Sequence, residues 1–160
     1  MAYETGLRKP ELGKLISGNT KPPIWHCKKV SSATWGANSF VSRSGGLLKK
    51  VADGAAAKVF GLALEAGVPG SAIIPVLVAT NDVLFSIPVD GTSTSSAVLR
   101  QGDLGVQYRI KISSAACTCI DLGNAESGAT PQLERGLTEI IGAENPRVLC
   151  TIDESIREIK

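Results

Sequence analysis

The stretch "LLKKVADGAAAKVFGLALEAG", Leu47 to Gly67, decides how the whole chain is read. A helix over Ala55–Ala66 puts Lys58, Gly61 and Glu65 on one face and Val59, Phe60, Ala63 and Leu64 on another. A strand puts Phe60, Leu62 and Leu64 on one face, with Val59, Gly61, Ala63 and Glu65 opposite. Periodicity leaves the two readings nearly even. The flanks favour the strand, because Asp53-Gly54 is a short hairpin signal and "GVPG" (Gly67–Gly70) is a turn signal. The expectation is an extended segment with a hairpin at Asp53-Gly54 and Phe60, Leu62 and Leu64 facing a barrel-like core.

Working outward, the neighbours read as short strands with turns about every ten residues, the rhythm of a sandwich or barrel rather than of βαβ units. Upstream lie "IWHCKKV" (Ile24–Val30) and "NSFVS" (Asn38–Ser42), then the turn "SRSGG" (Ser42–Gly46). Downstream come "IIPVLVA" (Ile73–Ala79), the turn "TND", and "VLFSIPV" (Val83–Val89). Pro75 and Pro88 point to sheet edges or strand ends, since proline cannot donate to a ladder. A Ser/Thr-rich loop (Gly91–Ser96) precedes "GVQYRIKI" (Gly105–Ile112), where Val106, Tyr108, Ile110 and Ile112 alternate with polar neighbours. "ACTCIDL" (Ala116–Leu122) is its expected antiparallel partner, "GNAESGAT" (Gly123–Thr130) a loop, and "RVLCTID" (Arg147–Asp153) a final strand. One short helix is expected over Pro131–Ile141, from the spacing of Leu133, Leu137, Ile140 and Ile141.

Composition narrows the function. The chain has 160 residues and is 43% hydrophobic but only 4% aromatic, so its core is built from Val, Ile, Leu and Ala. No apolar run nears the roughly 20 residues of a membrane span, and the charged opening "MAYETGLRKPELGKL" is not expected to act as a secretory leader. Net charge is +2, yet residues 1–30 hold six basic residues against two acids. An extended basic arm, residues 1–23 with Gly and Pro scattered through it, is expected ahead of a single β-rich domain, 24–160. The arm is expected to be loose in the free protein and to order on an acidic or apolar partner surface.

Signs of catalysis are missing. The one histidine, His26, adjoins Cys27, and adjacent strand residues face opposite ways, so they cannot form a dyad. No GxSxG, GxGxxG or GxxxxGK[ST] pattern occurs. Asp82, Asp90, Asp103 and Asp121 fall where turns use aspartate. Cys27, Cys117, Cys119 and Cys150 lack zinc-site spacing and read as small buried thiols, with Cys117 and Cys119 on one strand face. The expectation is no enzyme, no cofactor and no metal.

Leu47–Asp90, with "VADGAA", "FGLALEAG" and "IPVLVATNDVLF", resembles the head decoration (cement) proteins of tailed bacteriophages. "GDLGVQYRIKI" (Gly102–Ile112) and "NPRVLCTID" (Asn145–Asp153) are similar to later strands of that family, whereas "ACTCIDL" and the long basic arm are not. The resemblance implies a mainly β fold, a small barrel or sandwich (β-tulip-like), in a structural virion protein. It implies a homotrimer on the outer surface of an assembled capsid, touching the major capsid protein and neighbouring decoration subunits. The capsid-contact candidates are Leu7, Arg8, Lys9, Leu12, Lys14, Leu15, Ile16, Lys21 and Trp25. The rival readings are a single-stranded nucleic-acid-binding β-barrel, disfavoured by the aromatic-poor, slightly acidic body, and, more weakly, a virion module binding host-surface glycans.

Overall fold

The computed structural model describes residues 9–16, 21–53, 58–89, 98–114, 117–132 and 147–159. The fold is mainly β, as expected; the described residues form strands joined by turns, and their helical structure is a single 3-10 turn, Gln101–Asp103.

Five strands make one antiparallel sheet in the order β2 (Ile24–Lys28), β6 (Ile73–Val78), β5 (Gly61–Ala63), β3 (Ser39–Ser44), β4 (Leu47–Lys50). This sheet curls until its edges approach: Lys29, just past β2, bridges Leu48 of β4 in parallel, and Val30 N–H donates to Leu48 O at 2.9 Å. A second sheet has the order β1 (Glu11–Leu15), β7 (Val83–Pro88), β11 (Arg147–Ile152), β10 (Ala129–Pro131). The pair β8 (Ile110–Ser114) and β9 (Cys117–Ile120) continues it, through bridges from Tyr108 to Ala129 and from Ile120 to Val89.

Two apolar clusters hold these sheets. The larger joins Phe40, Leu62 and Leu77 of the five-stranded sheet to Phe85, Ile87, Val148, Cys150 and Ile120. The smaller gathers Trp35, Val41, Leu48, Phe60, Ile74, Val76 and Val78 on the other face of the five-stranded sheet. Strands β3, β5 and β6 are therefore covered on both faces; β5 and β6 are accordingly nearly continuous apolar runs, whereas β3 buries Ser39 and Ser42 beside Phe40 and Val41.

The stretch from Leu47 is extended where described, but its hairpin is corrected. β4 and β5 do not pair with each other; both pair with β3, one on each side of it, and residues 54–57 between them lie outside the described residues. The tight hairpin lies earlier, at Gly45-Gly46 between β3 and β4, with φ of 56° and 80° and Ser44 opposite Leu47. Both central residues at positive φ suit the twist of antiparallel strands. The expected common face is corrected as well: Leu62 and Leu64 pack on the larger cluster, whereas Phe60 lies in the smaller. Alternation slips at Gly61, where an added Cβ would collide with Leu77 O and Val76 Cγ1.

Pro88 ends β7, but Pro75 sits within β6, an interior strand. The sheet tolerates it because Pro75 faces the β5 side beyond the end of that strand, where its carbonyl still accepts Leu64 N–H at 2.9 Å. The "GNAESGAT" loop is shorter than expected, since Ala129 and Thr130 open β10. Pro131 closes that strand, and the rest of the expected helix lies outside the described residues apart from Gln132. Val68-Pro69-Gly70-Ser71 forms the expected turn, with Ser71 N–H on Val68 O at 3.1 Å and Gly70 at φ 91°.

Candidate surface-contact site

Of the described contact candidates, Leu12, Lys14 and Leu15 lie on β1 and Trp25 on β2, the strands at the outer edges of the two sheets, with Lys9, Ile16 and Lys21 in the segments beside them. β1 runs antiparallel to β7, with Leu12 opposite Phe85 and Leu15 opposite Val83, and with an irregularity at Gly13. β2 runs antiparallel to β6, with Ile24 opposite Leu77 and Trp25 opposite Val76. β6 and β7 are joined by the Thr80–Asp82 turn. Ile16 N–H donates to Asp82 O at 2.8 Å and Val78 N–H to Pro23 O at 2.9 Å. Ile16 and Ile24 are thereby brought to opposite sides of one turn.

Along these two strands the chain exposes large apolar side chains that a folded domain ordinarily buries, with Ile24 and Trp25, adjacent on β2, facing opposite sides of the sheet. Leu12 is 41% exposed, Ile16 56%, Ile24 41% and Trp25 48%. Trp25 is nevertheless fixed, its ring standing edge-on to buried Phe60 with centroids 5.9 Å apart. The Arg43 guanidinium covers the same phenyl ring at 4.9 Å, a favourable cation–ring contact. Lys14 and Lys21 are exposed beside these residues in sequence.

Two candidates have structural roles instead. Lys9 is buried; its Nζ donates to Ala37 O at 2.7 Å, and its carbonyl accepts Arg147 Nη2 at 2.8 Å. Burial, then the nearby Lys50 charge, holds the Lys9 ammonium below the usual lysine range. Leu15 packs against the larger cluster. Residues 9–16 thus lie on the body as an edge strand, which corrects the expectation of a loose segment over that part of the arm. Leu7 and Arg8 lie outside the described residues.

Sequence reasoning missed Ile24 and Arg43. The signal for Ile24 was its place in an edge strand; Arg43 becomes legible only once β3 is set beside Phe60.

His26 is exposed on β2, opposite Pro75. Cys27 and Cys150 are free thiols, Cys119 is buried, and the Cys117 side chain lies outside the described residues. Burial drives the Cys150 thiol well above its ordinary range; burial also raises Cys27, partly opposed by the Arg43 charge. Among the described residues no group of three or more His, Cys, Asp or Glu side chains could hold a metal. No family model, curated protein or solved structure matches the chain.

Proposed function

We propose that the protein is a capsid decoration protein, a non-enzymatic structural component that binds the outer surface of an assembled phage head and stabilises it as a homotrimer. The observation that carries this reading is the exposure of Leu12, Ile16, Ile24 and Trp25 along or beside two edge strands of a body whose large side chains are mostly buried, Leu47, Val68 and Ile73 being the others exposed among the described residues. The family resemblance of Leu47–Asp90 supplies the partner. Exposed apolar side chains with an aromatic anchor suit a contact surface. Edge strands also present unpaired backbone groups to a neighbour.

The test is co-sedimentation with a panel of assembled tailed-phage shells, with single-stranded DNA as the comparison, at low and high salt. The expected result is retention on shells of one kind, little salt dependence, and a trimer mass by light scattering. Ile16→Asp and Trp25→Ala should each weaken retention by about 2 kcal/mol, roughly thirtyfold in Kd. Binding to DNA that falls steeply with salt, with no shell retention, would instead support the nucleic-acid reading.

A further inference from the structure

The chain leaves β11 in one sheet and within a few residues is bonded to the other. Asp153 makes the turn: its Oδ1 accepts Ser155 N–H at 2.9 Å, and its carbonyl accepts the N–H groups of Ile156 and Arg157, both at 3.1 Å. The segment then runs parallel to Val59, with Val59 N–H on Ile156 O at 2.8 Å and Glu158 N–H on Val59 O at 3.0 Å. Both Glu158 carboxylate oxygens lie 2.8 Å from the Arg43 backbone nitrogen, whose N–H they accept. That N–H points to the side of β3 where β5 has not yet begun, so the carboxylate takes the place of a strand.

Side chains fasten the same segment to both layers. Ile156 is buried in the larger cluster, and Ile159 packs on the smaller. Arg157, between them, works against closure: it is 7% exposed, and its Nε is buried without a hydrogen-bond partner. Such burial of a polar group carries a desolvation penalty.

We propose that residues 153–159 form a latch that opens as a unit, short of global unfolding. Beyond the bonds above it is tied by Asp153 N–H on Gly128 O at 2.7 Å and by Gln107 Nε2 on Asp153 Oδ2 and Lys58 Nζ on Ser155 O, but one of its own side chains opposes it, and short segments of that kind open sub-globally. Opening unpairs Arg43 N–H together with Val59 N–H and C=O. This inference stands apart from the proposed capsid role.

Amide hydrogen exchange on the full chain tests it. The Val59, Arg43 and Glu158 amides are expected to share one opening equilibrium, exchanging about tenfold or more faster than the amides of β6 and β7. Glu158→Ala should speed Val59 and Glu158 by a common factor, and Arg157→Met should slow all three, with β6 and β7 unchanged. Three unrelated opening equilibria, or exchange that tracks β6 and β7 in both variants, would overturn the latch. If Glu158→Ala does not fold, Arg157→Met decides alone.

Discussion

Tyr108 and Gly61 illustrate how single residues carry the fold. The Tyr108 hydroxyl donates to Asp103 Oδ1 at 2.7 Å, while Asp103 Oδ2 accepts Arg100 N–H at 2.7 Å. Burial, then the hydrogen bond to Asp103 and its charge, pushes the phenol up to about 12. In the unfolded chain the phenol ionises near 10. Between these values the unfolded chain binds fewer protons than the native one, so this residue's contribution is intact below pH 10 and is lost as pH rises toward 12. Asp103→Asn should lower the Tyr108 titration and flatten that decline. Phenolate absorbance and thermal midpoints, in a Tyr3→Phe background, measure both. Gly61 is held by space: any Cβ meets the backbone of Leu77. Gly61→Ala should cost about 1–3 kcal/mol by urea unfolding. Gly102→Ala, where nothing lies within 4 Å, should stay within about 0.5 kcal/mol.

Among the elements, β1 is tied mainly by its backbone. Its side chains are exposed except Leu15, which is half-buried against the larger cluster. Leu15→Ala should therefore cost roughly 1–2 kcal/mol and Leu12→Ala well under 1. Equal losses in chemical denaturation would mean that Leu15 does not anchor the strand. Strands β2, β3, β6, β7, β9 and β11 were legible in sequence because each is a short apolar or alternating run closed by turn residues. The expected strand over Gly105–Ile112 begins later, as β8 at Ile110, yet its alternation holds: Val106, Tyr108, Ile110 and Ile112 all meet the larger cluster. Partner choice was not legible. Asp53-Gly54 has the local chemistry of a hairpin, yet β4 and β5 both choose β3, because apolar faces elsewhere in the chain decide pairing. Pro75 was misplaced for the same reason: whether a strand is interior depends on residues far away in sequence. The candidate site was read in outline only. Ile16 and Trp25 are exposed, whereas the burial of Lys9 depends on Ala37 and Arg147, which its own neighbourhood does not reveal.

For the molecule as a whole, the described strands form a curled five-stranded sheet and a second sheet sharing one apolar layer, with the edge strands β1 and β2 flanking the Thr80–Asp82 turn. The place of β11 between β7 and β10 has a consequence for biosynthesis. Chains are made from the amino end, so both flanking strands leave the ribosome before the strand that joins them. Until Arg147–Ile152 emerges, β7 offers a bare edge rich in Val, Leu, Phe and Ile, and the larger cluster lacks Val148, Cys150 and Ile152. Nascent chains stalled before that point carry the edge most prone to pairing with one another. Slower synthesis over residues 89–147 therefore prolongs the time for which the β7 edge goes without its β11 partner.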